Sequence, residues 1–158
     1  MALRLVAVGR VKQGAIRESC EEYAGRIRRY DGLTIDEVKE ARRPEHEADR
    51  ARQMEGESLL RLFSGTDVVV ALTRAGQPIS SAQLADRLRE WRDAARSVTF
   101  VLGGTFGLSA EVLKRADWQM SLSTLTLPHD VARLVLLEQL YRAHTILRGE
   151  PYHKGSLR

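Results

Sequence analysis

Residues 97–107 read SVTFVLGGTFG, and their reading decides the fold. Residues 97–102 are apolar and β-branched, without the polar alternation of a half-exposed strand. They predict a strand covered on both faces. Gly103-Gly104-Thr105-Phe106-Gly107 then turns the chain, and Ser109 with Glu111 opens a short helix to Ala116. A buried strand, a glycine loop and a helix in succession predict a parallel sheet, whose strands need crossover connections.

The same succession recurs on both sides. Towards the N-terminus, residues 3–8 (LRLVAV) read as a buried strand ended by Gly9. Residues 15–30 place Ile16, Cys20, Tyr23, Ala24 and Ile27 at helical spacing. Residues 33–38 form a weaker strand, 39–44 a polar basic loop, and 45–63 a charged helix. Residues 67–72 (DVVVAL) form the clearest strand, 74–78 a turn, and 81–94 a helix capped by Ser80. Towards the C-terminus come a strand at 118–122, a loop at 122–128 (LSTLTLP), a long helix at 129–148 and a polar tail. The order βαβαβαβαβα predicts an α/β fold, a mostly parallel sheet with helices on both faces, in one domain over residues 1–158. Ligands of such sheets sit beyond the carboxyl ends of the strands. Residues 72–76, 103–107 and 122–128 therefore surround one expected pocket.

Composition narrows the classes. The 158 residues are 43% apolar and 29% charged, which is ordinary globular usage and excludes disordered and collagen-like chains. No apolar run approaches the ~20 residues of a membrane span. The first residues lack a secretory h-region, and the single cysteine, Cys20, fits a reducing compartment. A cytoplasmic protein is expected. The net charge is +4, and residues 133–158 carry five basic against two acidic residues, so most of the excess lies there. A basic end suits an anionic partner such as RNA.

Several chemistries are excluded. GRVKQG at 9–14 has the glycine spacing of a P-loop, but Ala15 and Ile16 stand where Lys and Ser/Thr are required. The first turn lacks GxGxxG. The histidines His46, His129, His144 and His153 have no metal-ligand spacing, so no metal site is expected. There is no GxSxG, and Cys20 falls on an apolar helix position.

Four features survive. The 103–107 loop is either a backbone cradle for a ligand or a tight turn. The 122–128 loop is apolar yet carries Ser123, Thr124 and Thr126. It either sandwiches a flat ring or satisfies its own backbone with those hydroxyls. The long helix is apolar on more than one stripe, and is buried either by a second subunit or by one wide core face. The tail Pro151-Tyr152-His153-Lys154 joins an aromatic, an imidazole and a cation, and is either a base-stacking and phosphate-contacting end or a frayed terminus without function.

Taken with LRLVAVG at 3–9, GG at 103–104, GL at 107–108, LSTLTLPH at 122–129, EQLYRA at 138–143 and PYH at 151–153, these features resemble the SPOUT-class RNA methyltransferases of the ribosomal RNA large subunit methyltransferase H type. The resemblance covers essentially the whole chain. It implies a deep C-terminal trefoil knot, which periodicity alone would not propose, and a homodimer. It implies S-adenosylmethionine held by Leu72, Gly103, Gly104, Leu122, Ser123, Thr124, Leu125, Thr126 and Leu127. The implied reaction is methylation of N3 of a pseudouridine in helix 69 of 23S rRNA, in the 70S ribosome. His153 is the candidate general base, with His129 as organiser or weaker base. Tyr152 would stack on the base and Arg142 would stabilise developing charge. Arg133, Arg148 and Lys154 are the RNA-binding candidates. Two departures stand out: Thr105 replaces the proline usual in the family's glycine loop, and Gly155 to Arg158 extend the usual ending. Two other readings keep the fold. One is a methyltransferase for another RNA such as tRNA, and the other a non-catalytic RNA- or ribosome-binding module.

Overall fold

In the computed structural model, residues 1–65 and 68–154 are described. Asp67 of the expected third strand and the 155–158 extension lie outside them. Five strands form one sheet: β1 (Ala2–Val8), β2 (Gly32–Val38), β3 (Val68–Pro78), β4 (Val98–Leu102) and β5 (Trp118–Ser121). The order is β2-β1-β4-β3-β5, and every pairing is parallel. Helices α1 (Gly14–Ile27), α2 (Ala48–Leu60), α3 (Ser81–Asp93) and α4 (Ala110–Arg115) make the crossovers, and α5 (His129–Leu147) follows β5.

Side chains alternate across the sheet, and each face finds its own helices. Leu5 of β1, Phe100 of β4 and Val70 of β3 stand side by side across three strands. They are fully buried with Leu88 of α3 and Leu136, Leu137 and Leu140 of α5. On the other face Val6, Val8, Val69 and Val101 meet Leu59 of α2 and Val112 of α4. Each fully buried aliphatic or aromatic side chain contributes about 1.5–3 kcal/mol. This two-sided burial is why the strands lack polar alternation. Helix α5 lies in the larger layer, against α1 and α3, so a wide core face already covers much of its apolar surface.

Three boundaries differ from expectation. First, the chain does not simply turn at 74–78, because β3 runs on to Pro78. Leu72 and Gln77 both register with Met120 of β5, and Pro78 registers with Ser121, so 73–76 bulge out of the ladder. Gly76 makes the return possible, since a Cβ there would lie 2.7 Å from the Gln119 and Met120 carbonyl carbons. Second, the 45–63 helix begins as a 3₁₀ turn at Glu45–Glu47 before α2. Third, α1 stops at Ile27. The Ile27 carbonyl accepts from the amides of both Tyr30 (2.8 Å) and Asp31 (3.1 Å), which closes the last turn tightly. The Ser80 cap forms as a full capping box with Gln83, and Ser109 Oγ accepts from the Val112 amide at 3.3 Å.

Candidate functional site

The carboxyl ends of β3, β4 and β5 and the start of α5 enclose a cavity of about 800 Å³. That volume suits a small-molecule pocket, typically about 300–1,000 Å³. Of the nine residues expected to hold the methyl donor, Leu72, Gly103, Gly104, Leu122, Ser123, Leu125, Thr126 and Leu127 line it. Thr124 is exposed and off its wall.

The glycine loop is held by close approach. A Cβ on Gly103 would sit 2.6 Å from the Gly107 carbonyl carbon, and one on Gly104 would sit 2.9 Å from Val8 Cγ1. Gly107 has φ +81°, a conformation L side chains rarely adopt, and its amide donates to the Gly104 carbonyl at 3.1 Å. Thr105 anchors the loop through its side chain. Its hydroxyl donates to Glu40 Oε1 at 3.2 Å.

The 122–128 loop settles between its two readings residue by residue. Ser121 Oγ donates to the Ser123 carbonyl (2.9 Å), and Ser123 Oγ accepts from the Leu125 amide (2.9 Å). Thr126 Oγ1 accepts from Arg74 Nη1 at 2.7 Å, tying the loop to the β3 bulge. Those hydroxyls serve the loop itself. The cavity wall is mixed: Leu72, Leu102, Leu122, Leu127 and Phe106 give it apolar surface, and Thr73, Thr105 and His129 line it as well. Such walls fit a flat heteroaromatic ring with a hydrogen-bonding edge.

Beneath the glycine loop lies α2, which the sequence reading left unused. Arg52 Nη1 donates to the Phe106 carbonyl at 3.3 Å. Gly56 packs on Ser109, where a Cβ would come within 2.9 Å of the serine Cβ. Glu55 is buried between them. Its Oε1 accepts from the Ala41 amide at 3.0 Å, while Oε2 has no hydrogen-bond partner among the described residues. The carboxyl oxygens lie 3.2 and 3.3 Å from where a Gly104 Cβ would stand. Burial pushes the Glu55 carboxyl up; neighbouring Glu40 adds to the shift, and the Ala41 amide and His129 oppose it. A signal existed: Ala51, Glu55 and Leu59 share one helical stripe, so a carboxylate stands in an apolar row.

The remaining expected residues divide. His129 lines the cavity, with Nε2 3.2 Å from Asp130 Oδ1. Arg133, expected to touch RNA, is instead buried. It pairs with Glu37 at 2.5 Å and donates to the Gly9 carbonyl at 2.7 Å, so it fastens α5 to the ends of β1 and β2. Counting C-terminal charge therefore overstates the cations available. Arg142 donates through Nε to Glu138 Oε1 at 3.1 Å and lies over the Tyr152 ring at 4.7 Å. Tyr152 donates to the same carboxylate at 3.0 Å, and burial pushes its phenol up, with hydrogen bonds to Tyr23 and Glu138 adding to the shift. Arg148 is exposed with its guanidinium 4.8 Å above the Tyr30 ring, and Lys154 is exposed. His153 lines a second cavity, of about 650 Å³, between α3, β5 and α5. Its Nδ1 is buried without a partner among the described residues. Among the described residues only Leu122 lies on the walls of both cavities. Cys20 is buried and its thiol is pushed up by burial, as befits a core position.

Comparison with known proteins places this geometry. Residues 1–153 match the family described as "Predicted SPOUT methyltransferase". The chain is 49% identical over 154 residues to the ribosomal RNA large subunit methyltransferase H of Anaeromyxobacter sp. (strain Fw109-5), covering 98% of this chain and 100% of that protein. It is 41% identical over 159 residues to the protein of the same name from Carboxydothermus hydrogenoformans, covering 98% and 100%. Among solved structures, a probable methylase family protein from Haemophilus influenzae Rd KW20 superposes with a TM-score of 0.55 at 13% identity, over 97% of this chain and 70% of that one. That likeness is one of fold.

Proposed function

The chain belongs to the SPOUT methyltransferase family, and from that premise we propose that it methylates large-subunit ribosomal RNA at N3 of a pseudouridine in helix 69 of 23S rRNA. In this reading the donor is S-adenosylmethionine, and the substrate is the assembled 70S ribosome in the cytoplasm. The observation that carries the proposal is the cavity where the glycine loop and the apolar 122–128 loop meet. The names borne by relatives at 41–49% identity support the RNA class.

The donor supplies a methyl group activated by a sulfonium. Leu72, Leu122 and Leu127 offer apolar walls to its ring system, and the backbone of 103–107 offers polar groups to its edges. Holding two reactants in line supplies about 7–11 kcal/mol of a barrier. The attacking nitrogen must also lose its proton, and a positioned base adds about 10²–10⁴-fold. His153 is our base, Tyr152 stacks on the extruded ring, and Arg142 and Lys154 stabilise the charge that develops on it. His129 holds the start of α5 beside the donor.

Within one chain His153 lines the other cavity, and Tyr152 and Arg142 are held by Glu138. We therefore infer a homodimer in which the tail of one protomer serves the pocket of its partner, with the trefoil knots packed together. Incubation with radiolabelled S-adenosylmethionine and ribosomes lacking the mark tests the whole reading. Free 23S rRNA, separated subunits and tRNA run alongside. Label at a helix 69 pseudouridine, in 70S ribosomes only, is the expected result. Label in tRNA replaces the substrate, and absence of both transfer and donor binding leaves a binding module.

A further inference from the structure

If the substrate is RNA, the C-terminal region supplies fewer free cations than its composition promises. Arg133 is buried in an ion pair, and Arg142 is bound to Glu138. The structure places other cations at the same sheet edge as the cavity, in the segment after β1 and in the basic loop after β2. Strand β1 pairs with β4 up to Ala7 and Leu102, and with β2 up to Val8 and Val38. The chain leaving β1 (Gly9 to Lys12) and the chain leaving β2 (Lys39 to Arg43) thus emerge beside the glycine loop that leaves β4. Adjacent strands lie about 4.8 Å apart, so these exits stand about 5 and 10 Å from that of β4.

Side-chain contacts confirm the adjacency. Thr105 of the glycine loop bonds Glu40, Lys12 Nζ lies 3.7 Å from the same carboxylate, and the Ala41 amide reaches Glu55 under Gly104. Most acids on this rim are engaged, Glu37 by Arg133, Glu40 by Lys12 and Thr105, Glu47 by Arg43 and Asp130 by the Lys12 amide, while Glu45 is exposed. Arg10, Lys39 and Arg42 are exposed, and none has an ion-pair or hydrogen-bond partner among the described residues. A nucleotide brought to the cavity carries its flanking phosphates to the rim, and three free cations at that edge match them in charge.

We propose that Arg10, Lys39 and Arg42 form a phosphate-binding rim that seats the RNA backbone beside the donor cavity. This rests on the reading of the chain as an RNA methyltransferase. Phosphate contacts set register and orientation without reading sequence, so the rim governs affinity and salt dependence and leaves the chemistry alone.

The test is the triple variant Arg10→Ala/Lys39→Ala/Arg42→Ala, assayed on ribosomes lacking the mark across about 50–200 mM potassium chloride at fixed magnesium. Each phosphate contact contributes about 0.7–0.9 to the slope of log affinity against log salt. The variant is expected to lose about 2 units or more of slope and to raise KM at least tenfold. It is expected to keep kcat within about twofold and to bind S-adenosylmethionine by calorimetry as the parent does. Arg29→Ala, an exposed cation at the opposite, amino end of the sheet, is expected to leave the slope unchanged. A triple variant with the parent's slope and KM overturns the rim while the methyltransferase reading stands. A parent protein that neither binds nor methylates ribosomes overturns both.

Discussion

The two cavities that meet at Leu122 are built on opposite principles. The donor cavity is made of strand ends and loops. Its shape depends on glycines where no Cβ fits. The second cavity is walled by residues of α3, β5 and α5 and the segments that flank them, with His153 among its lining. One is a mould shaped by close-packed backbone at the carboxyl edge of the sheet. The other carries His153 on its wall, away from that mould. On the proposed reading, donor binding and proton removal sit in separate cavities, and a second protomer brings them together.

Breaking the mould has the largest expected effect. Gly103→Ala drives a methyl group into backbone 2.6 Å away, with no flexible side chain to yield. Donor affinity measured by calorimetry should fall at least about 100-fold, or about 2.7 kcal/mol. Circular dichroism should show the fold retained. Binding within threefold of the parent would show that the loop does not shape the donor site.

The division of labour can be read directly. His153→Ala should lower kcat about 10²–10⁴-fold while leaving donor affinity within about twofold. Co-refolding equal amounts of Gly103→Ala and His153→Ala chains then forms mixed dimers. If tail and pocket come from different protomers, each mixed dimer regains one intact site, and the mixture recovers about a quarter of parental activity. No recovery would place tail and pocket in the same chain.

That separation also explains how much was legible in sequence. The three central strands were, because burial on both faces leaves continuous apolar runs such as Val68 to Leu72, and the edge strands β2 and β5 read more weakly. So were the cavity walls, since loops after buried strands must line the carboxyl edge. The β3 bulge was not legible, because only pairing with β5 shows that 73–76 leave the ladder and return. Nor was the fate of Arg133, whose charge reads as free until Glu37 and the Gly9 carbonyl are brought against it. Glu55 could have been found, as the carboxylate in an apolar stripe. Its contact with Gly104 arises only in the fold.

The far end of α5 offers a smaller effect that sharpens the contrast with the cavity end. His144 is buried, stacked on Tyr30 at 5.3 Å, with Nδ1 3.2 Å from Arg92 Nη2 and 3.7 Å from Asp31 Oδ2. Burial lowers its pKa from 6.5 to about 4, against the pull of Asp31 and with Arg92 assisting. The folded state thus refuses a proton that the unfolded chain accepts below pH 6.5. Stability should fall as pH drops from 6.5 towards about 4, by about 3 kcal/mol in all. His144→Phe keeps the stack and removes the titration, so its melting temperature should be flatter across that window. An unchanged slope would assign the acid sensitivity elsewhere.

The smallest expected effect lies under the mould itself. Glu55 keeps one carboxyl oxygen without a partner, and burial raises its pKa above the ordinary 4.5. A raised carboxyl favours the folded state fully only below 4.5, and that contribution is lost as pH rises through the folded value. Glu55→Gln retains an oxygen for the Ala41 amide and removes the desolvated charge. It should therefore raise the melting temperature at pH 8, with the gain shrinking to nothing below pH 4.5. Glu55→Ala loses the Ala41 bond as well and should destabilise at both pH values, by about 1–3 kcal/mol. It also opens the space beside Gly104, so Gly104→Ala should disturb donor binding less in the Glu55→Ala background than alone. Full rescue is not expected, because Val8 Cγ1 still lies 2.9 Å from the new methyl. Additive losses in that double-mutant cycle would show that Glu55 and the glycine loop are neighbours without being coupled.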